Sequence, residues 1–381
     1  MKFIIEGNYD IGLLDKIKEE DLPISHIILH VPKNPIGNSS IFLPKDQPSF
    51  KEFENYTNAV QESGFIPIAG LDSTCQGNLE AHMQHYEATK NLLNSLENLN
   101  YRNILVSAPN NVGFIKENYS EVNIFLSYSQ YVTSTNRAKI FFDIGVDSII
   151  LHPDINRSFG ALRNFIKMKE KKTNSYEFVI PLNIGCNWGC IYWYQHHNLQ
   201  SHRTINSPIS NEQINISDIE NSFDYPILNC WKNRLKSPQN ILKSGWISPY
   251  NFSEYINLGY ETFYLSSYKM SNDCIINTLK SYLEANIDDN FLELISIPYP
   301  YGEYWNDEYK LSSFFKFDSD LIKEFCKKIP YEEHYPKENK MISYCNEFSK
   351  RIKIKDQELR EKVLDIINHK LNEIEKGSIK R

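Results

Sequence analysis

Short apolar segments alternate with stretches of helical periodicity along the first 265 residues of this 381-residue chain, and this alternation constrains the fold most strongly. The apolar segments are residues 3–5, 24–31, 65–69, 103–106, 123–126, 148–151, 178–182 and 261–265. Gly64, Gly145 and Gly259 follow three of the helical stretches, where glycine supplies the left-handed residue that ends a helix. Strands that alternate with helices pair in parallel through right-handed crossovers, and eight such strands close a barrel. The sequence therefore predicts an α/β protein, a (β/α)8 TIM-like barrel, with an open doubly wound sheet as the alternative.

Two regions interrupt this alternation. Residues 185–244, before the eighth strand, form an insertion rich in Cys and His. After residue 285 the pattern becomes aromatic and irregular, and it finishes in a charged helical stretch over residues 357–376. We expect a barrel over residues 1–285 that includes the insertion, followed by a C-terminal helical and irregular appendage over residues 286–381.

Charge and cysteine content restrict the class of protein. The net charge is −7 and the apolar runs are only strand-sized, so neither a global attraction to nucleic acid nor a membrane span is expected. Glu6 and Asp10 interrupt the N-terminal segment before it resembles a signal peptide. The seven cysteines are an odd number, which favours reduced thiols over a disulfide framework. These features predict a cytoplasmic protein whose oligomeric state stays open.

Polar side chains follow the predicted strands, at the end of the barrel where active sites of this fold lie. Asp72 follows the third strand and is a candidate catalytic residue. His152, Asp154 and Arg157 follow the sixth strand, and we expect them to bind an anionic substrate group because arginine grips carboxylates and phosphates bidentately. Asn183, after the seventh strand, is a further candidate substrate contact. Glu6 and His30 also end strands, without an assigned role.

The strongest local motif is NIGCNWGC at residues 183–190. The thiols of Cys186 and Cys190 can converge on one metal because a glycine-assisted turn separates them. Cys230 lies in the same insertion and can return to the same end of the barrel. The motif therefore predicts a cysteine-ligated metal site at the mouth. The histidines that follow the motif are candidate proton carriers: His196, His197 and His202.

A fourth ligand is needed for a [4Fe–4S] cluster or for the alternative, a structural zinc. Cys75 is the candidate because it follows the third strand and faces the same end of the barrel. The third and seventh strands are opposite in an eight-stranded barrel, so both loops must lean over the mouth for Cys75 to reach Cys186. If they do not, three thiolates remain, with a histidine or the substrate as the fourth ligand.

Residues 183–202 resemble a family of iron–sulfur (β/α)8 proteins historically described as collagenase-like peptidases. In that family a strand ending in Asn leads to a Cys-rich turn and then to His. The resemblance covers roughly residues 1–280. Further matching features, in the order expected for the family, are LDSTC at 71–75, Glu80, IGVD at 144–147, DINR at 154–157 and WISP at 246–249. Many members end the eighth strand with a Lys-…-Gly-Arg pattern, whereas LSSYK stands here at 265–269 without the arginine.

The resemblance implies an oxygen-independent hydroxylase, as in ubiquinone biosynthesis and in tRNA or rRNA modification, with a [4Fe–4S] cluster on four cysteines. We therefore expect an iron–sulfur oxidoreductase or hydroxylase that acts on a small-molecule, RNA or peptide substrate and exchanges electrons with a donor or acceptor. A peptidase is one alternative, although the chain has no Gly-flanked serine elbow and no HExxH motif. A non-catalytic, zinc-stabilised binding module is the other. CNWGC also resembles the radical S-adenosylmethionine motif, but its third cysteine is replaced by Trp193 and it follows the seventh strand.

Overall fold

The computed structural model describes residues 1–39, 48–171, 176–209, 224–267, 270–328 and 338–376. Eight parallel strands follow one another around a closed barrel, and β1 pairs with β8 to complete it. This confirms the predicted (β/α)8 barrel over the open sheet. The strands are β1 Lys2–Glu6, β2 Ile24–His30, β3 Ile66–Leu71, β4 Asn103–Val106, β5 Asn123–Leu126, β6 Ser148–Ile150, β7 Glu177–Pro181 and β8 Thr262–Leu265.

Helices surround the barrel, and some of them begin at a side chain that caps the helix. Ser49 and Glu52 form a reciprocal capping box at the start of α2, and the backbone after the helix turns at Gly64 with φ +82°. Gly145 and Gly259 also have positive φ, as the sequence predicts. The helices of the barrel are α1 Ile11–Glu19, α2 Phe50–Glu62, α3 Met83–Asn98, α4 Pro109–Asn118, α5 Thr135–Asp143, α6 Phe159–Glu170, α10 Phe252–Asn257 and α11 Asn272–Glu284.

Alternate residues of the strands form two apolar layers. One set fills the barrel interior, and it includes Ile4, Ile68 and Tyr264. The residues between them, such as Ile5 and Leu265, pack outward against the helices. This period of two fills the barrel interior with apolar side chains.

The insertion supplies helices that lie across the C-terminal mouth. They are α7 Trp193–Thr204, α8 Tyr225–Lys236 and α9 Gln239–Lys243. The indole of Trp193 donates to the carbonyl of Ser129 after β5, and the hydroxyl of Thr74 after β3 donates to Asn198 on α7. These contacts on several sides of the barrel fix α7 over its mouth.

The insertion and the C-terminal segment share a second hydrophobic core. Trp231 of α8 contacts Trp305, and Trp246 contacts Phe291, with ring centroids 4.8 and 4.5 Å apart. The insertion that we assigned to the barrel is therefore bound to the appendage as well. The remaining elements are α12 Leu311–Phe314, β9 Phe315–Lys316, α13 Ser319–Lys328, α14 Glu338–Ser349, β10 Lys353–Ile354 and α15 Gln357–Glu375. Within the described ranges, no helix combines the length and the apolar character that a membrane crossing needs.

Candidate metal centre and barrel-mouth cavity

The turn that carries the first two cysteines is held from both sides. The amide of Gly185 donates to the carbonyl of Ser296 at 2.8 Å, and a Cβ at Gly185 would lie 2.3 Å from a methyl carbon of Ile295. Gly189 has φ +62°, a conformation that favours glycine, and its amide donates to Oδ2 of Asp154 at 3.0 Å. The two glycines therefore allow the close approach and the reversal that place Cys186 and Cys190 on one turn.

Three thiols come together at this turn. Burial raises the pKa of Cys186, of Cys190 and of Cys230 on α8, and the charges of Cys190 and Cys230 raise that of Cys186 further. The guanidinium of Arg234, one helical turn beyond Cys230, lowers the pKa of all three. Its Nη1 donates to Sγ of Cys230 at 2.6 Å, and its Nη2 donates to the carbonyl of Gly185. A buried cation thus stands beside the grouped thiols and favours their charged, metal-binding form.

The distances between these thiols limit which kind of metal group they could bind. Among the described residues, no group of three or more His, Cys, Asp or Glu side chains converges tightly enough for a single metal ion. A tetrahedral zinc with bonds of about 2.3 Å would require its sulfurs to lie about 4 Å apart. A polynuclear cluster takes its thiolates at wider separations because each binds a different iron. Cysteine thiolates are the donors that iron–sulfur clusters use.

Cys75 lies apart from this group. Its Sγ is 3.2 Å from Nε2 of His202, in the last turn of α7, whereas the carbonyl of Cys190 accepts from the amide of Trp193 at the start of that helix. Nine residues at 1.5 Å each separate Trp193 and His202 by about 14 Å. The loop of Cys75 thus leans over the mouth and meets the far end of α7, and its place in a four-thiolate set stays a prediction.

Two of the predicted proton carriers face the barrel interior. His197 is buried, and its ring lies 4.6 Å from that of Trp193 and 5.3 Å from that of His196, between centroids. Burial lowers the pKa of His196, and it lowers that of His197 to about 4. Nε2 of His196 and Nδ1 of His197 are buried without a hydrogen-bond partner in the described part of the chain. Both imidazoles are therefore neutral near pH 7, and each has a free nitrogen for a bound molecule.

A cavity of about 50 Å³ lies beneath these histidines. One ordered water needs roughly 10–15 Å³ of such volume, so the cavity has room for a small group. The side chains that bound it and could contact a ligand are Glu6, Tyr128, Cys186, His196, His197 and Ser266.

Asp72, the predicted catalytic residue, belongs to a charged group at the mouth together with Glu6 and His30, to which the sequence assigned no role. Nε2 of His30 lies 3.7 Å from Glu6 and its Nδ1 lies 3.5 Å from Asp72. Burial opposes protonation of His30, but the two carboxylates outweigh burial and raise its pKa to about 10. Asp72, which also accepts from the amide and hydroxyl of Ser39, keeps a lowered pKa despite its burial. The available signal was that Glu6, His30 and Asp72 end three neighbouring strands.

The residues predicted to bind an anion instead hold the insertion in place. Asp154 accepts from the hydroxyl of Tyr131 at 2.8 Å as well as from Gly189. The ring of His152 packs against Tyr131 and Trp193, with centroids 3.9 and 4.2 Å apart. Both residues therefore support the cysteine turn and α7 from the end of β6.

Arg157 and Asn183 have similar structural contacts. Arg157 is buried, donates to the carbonyls of Leu242 and Trp246, and stacks on the Trp246 ring at 4.4 Å. The side chain of Asn183 bonds to the backbone of Ser266 through both its amide and its carbonyl. Arg157 thus points into the second core and Asn183 ties β7 to β8, so neither is placed to meet a ligand in the cavity.

Comparisons with known proteins give only distant likenesses. No protein-family model matches the chain, and no curated protein sequence matches it. Among solved structures, the U32 peptidase Mk0906 is similar over 56% of this chain and 84% of its own, with 20% identity and a TM-score of 0.45. A D-psicose 3-epimerase is 12% identical over 61% of this chain and 98% of its own, with a TM-score of 0.34. A mandelate racemase/muconate lactonizing protein from Paracoccus denitrificans is 11% identical over 54% of this chain and 51% of its own, with a TM-score of 0.31. Likenesses at this level carry no argument about activity.

Proposed function

We propose that this chain is an iron–sulfur enzyme of the oxidoreductase or hydroxylase type that acts on a small biosynthetic substrate at the mouth of the barrel. The observation that carries the proposal is the grouping of the partly buried thiols of Cys186, Cys190 and Cys230 beside the Arg234 guanidinium. These cysteines would hold the cluster, which would supply electron transfer or activate the substrate.

The place of the thiols beside the cavity supports a catalytic role over a purely structural one. Cys186 and His196 both line the cavity, so a group held by Cys186 borders the space open to a ligand. Because Cys75 is held at the far end of α7, three thiolates leave one position of a [4Fe–4S] cluster for a non-cysteine ligand. A histidine or the substrate itself would occupy that position.

The other residues of the cavity have roles that follow from their charge states. His196 and His197 are neutral and can accept or donate a proton at their free nitrogens. Protonated His30 between Glu6 and Asp72 leaves one net negative charge in that group. With no arginine among the cavity-lining residues described, this charge favours a neutral or cationic substrate group, instead of the anion that the sequence suggested.

Anaerobic purification followed by iron, sulfide and zinc analysis tests this proposal. We expect a broad visible absorption band near about 400 nm that bleaches with a reductant, as for cysteine-ligated iron–sulfur clusters. Stoichiometric zinc without iron or sulfide would support the zinc-stabilised binding module instead. A protein that contains none of these metals after anaerobic reconstitution would leave the iron–sulfur proposal without support.

A further inference from the structure

Cys75 and His202 form a nucleophile and base pair outside the proposed cluster site. Sγ of Cys75 lies 3.2 Å from Nε2 of His202, and both residues are partly exposed. A thiol within hydrogen-bond reach of an imidazole is the arrangement that activates a cysteine nucleophile. The pair was not expected from the sequence because the two residues are 127 positions apart.

The contacts around the pair hold its two members together. The amide of Thr74 donates to the hydroxyl of Ser201 at 2.8 Å, and the hydroxyl of Thr74 donates to Asn198 at 2.7 Å. Gly77 follows with φ +64°, and a Cβ there would lie 3.4 Å from Cε1 of His202. The loop after β3 is thus anchored to α7 next to Cys75, and Gly77 lets its backbone pass close to the His202 ring.

The protonation state of His202 suits a base. Burial lowers the pKa of His202, so its imidazole is neutral near pH 7 and can accept the proton of the thiol. Cys274, a partly exposed cysteine outside the proposed cluster site, has its Sγ 3.6 Å from the carbonyl of Glu293, and burial raises its pKa. Cys274 is therefore a comparison thiol without a base.

We propose that Cys75 and His202 form a thiol–disulfide exchange site for small disulfides, independent of the cluster. His202 Nε2 takes the proton from Cys75 Sγ, and the thiolate attacks one sulfur of the disulfide. A bond forms between Sγ and that sulfur while the original S–S bond breaks, and the leaving thiolate takes the proton from His202. The Cys75 sulfur is oxidised and the released half of the disulfide is reduced, so no other oxidant is needed.

The geometry favours disulfides over acyl substrates. Exchange with a disulfide requires a thiol, a base within reach and access to the sulfur, and all three are present at Cys75. Acyl transfer would in addition require donors arranged around a developing oxyanion.

Digestion with trypsin places the Cys75 and Cys274 thiols on different peptides, so the reaction of each thiol can be measured separately. Residues 52–90 form a tryptic peptide whose sole cysteine is Cys75, and residues 270–280 form one whose sole cysteine is Cys274. The full-length protein is incubated with oxidised glutathione, trapped with N-ethylmaleimide, digested without reductant and analysed by mass spectrometry. We expect the glutathione adduct to form on Cys75 at least about tenfold faster than on Cys274.

Variants separate the base from general effects on folding. His202→Gln should slow the reaction at Cys75 by about tenfold or more and leave Cys274 unchanged, whereas His369→Gln, an exposed histidine on α15, should change neither. Thermal unfolding of His202→Gln identifies a folding defect, in which case His202→Asn replaces it. Equal rates on Cys75 and Cys274, or an undiminished rate at Cys75 in a folded His202 variant, would overturn the proposal. Because each rate is read from one peptide, the result does not depend on whether the protein contains iron.

Discussion

The amide of Gly189 donates a 3.0 Å hydrogen bond to Oδ2 of Asp154, and this bond fastens the cysteine turn to the end of β6. Asp154 also accepts from Tyr131, which stacks on His152. These contacts therefore tie the position of the turn to the barrel wall. Asp154, which we predicted to bind substrate, therefore supports the candidate metal centre in the structure.

Replacing Asp154 should weaken that centre. Asp154→Ala leaves the Gly189 amide and the Tyr131 hydroxyl without their acceptor, and hydrogen bonds to a buried charged group stabilise by about 1.5–3 kcal/mol. We expect a lower melting temperature and a reduced iron content after anaerobic reconstitution. Asp154→Asn keeps an oxygen acceptor of the same size and should retain more iron than Asp154→Ala. Equal iron content in the wild type and both variants would show that the turn does not need this support.

Arg157 should contribute to stability through its contacts with the insertion. Arg157→Ala removes the hydrogen bonds to Leu242 and Trp246 and the stacking on the Trp246 ring. We expect a loss of about 3 kcal/mol in the free energy of unfolding, measured with urea. Arg351→Ala, which breaks an exposed ion pair with Glu324, should cost less than about 1 kcal/mol. Similar small losses in both variants would contradict the structural role of Arg157.

The pairing of His30 with Glu6 and Asp72 should make stability depend on pH. The pKa of His30 is raised from its ordinary 6.5 to about 10, so its contribution is fully present below pH 6.5 and is lost as pH rises towards 10. Between these limits the free energy of unfolding should fall by up to about 1.4 kcal/mol per pH unit relative to His30→Gln. Urea titrations of both proteins across this range measure the difference. A constant difference between them at all pH values would exclude the charged state of His30, and His369→Gln should behave as the wild type.

Arg234 should tune the reduction potential of the proposed cluster. Its guanidinium donates to Cys230, and a nearby positive charge stabilises the more negative, reduced form. Arg234→Gln should therefore shift the midpoint potential to more negative values in a redox titration followed by electron paramagnetic resonance. Arg234→Lys, which keeps the charge, should shift it less. An unchanged midpoint potential in Arg234→Gln would show that Arg234 does not influence the cluster.

The fold could be predicted because its determinants are local. Each strand is a short apolar run, and Gly64, Gly145 and Gly259 mark helix ends through a backbone preference that does not depend on the rest of the chain. The closed barrel then follows from the number and order of strands. The shared core of the insertion and the appendage was missed, because contacts such as Trp231 with Trp305 join segments with no common pattern.

The candidate site was predicted only in part, for the same reason. Cys186 and Cys190 are close in sequence, so their approach follows from the turn between them. Whether Cys75 meets Cys186 or His202 depends on where α7 crosses the mouth, which no local pattern encodes. We predicted that Arg157 binds substrate because polar residues that follow the strands of this fold usually lie at the mouth. In the structure Arg157 contacts residues at the end of the insertion, which that expectation did not take into account.

The iron content of single cysteine variants after anaerobic reconstitution tests the central claim most directly. Iron and sulfide are measured for the wild type, for Cys186→Ala, Cys190→Ala and Cys230→Ala, and for Cys75→Ala and Cys274→Ala as matched controls. We predict about four irons per chain in the wild type and in both controls, and loss of most of the iron in each of the other three variants. Full iron retention in Cys186→Ala, Cys190→Ala or Cys230→Ala, or an iron-free wild type, would contradict the account.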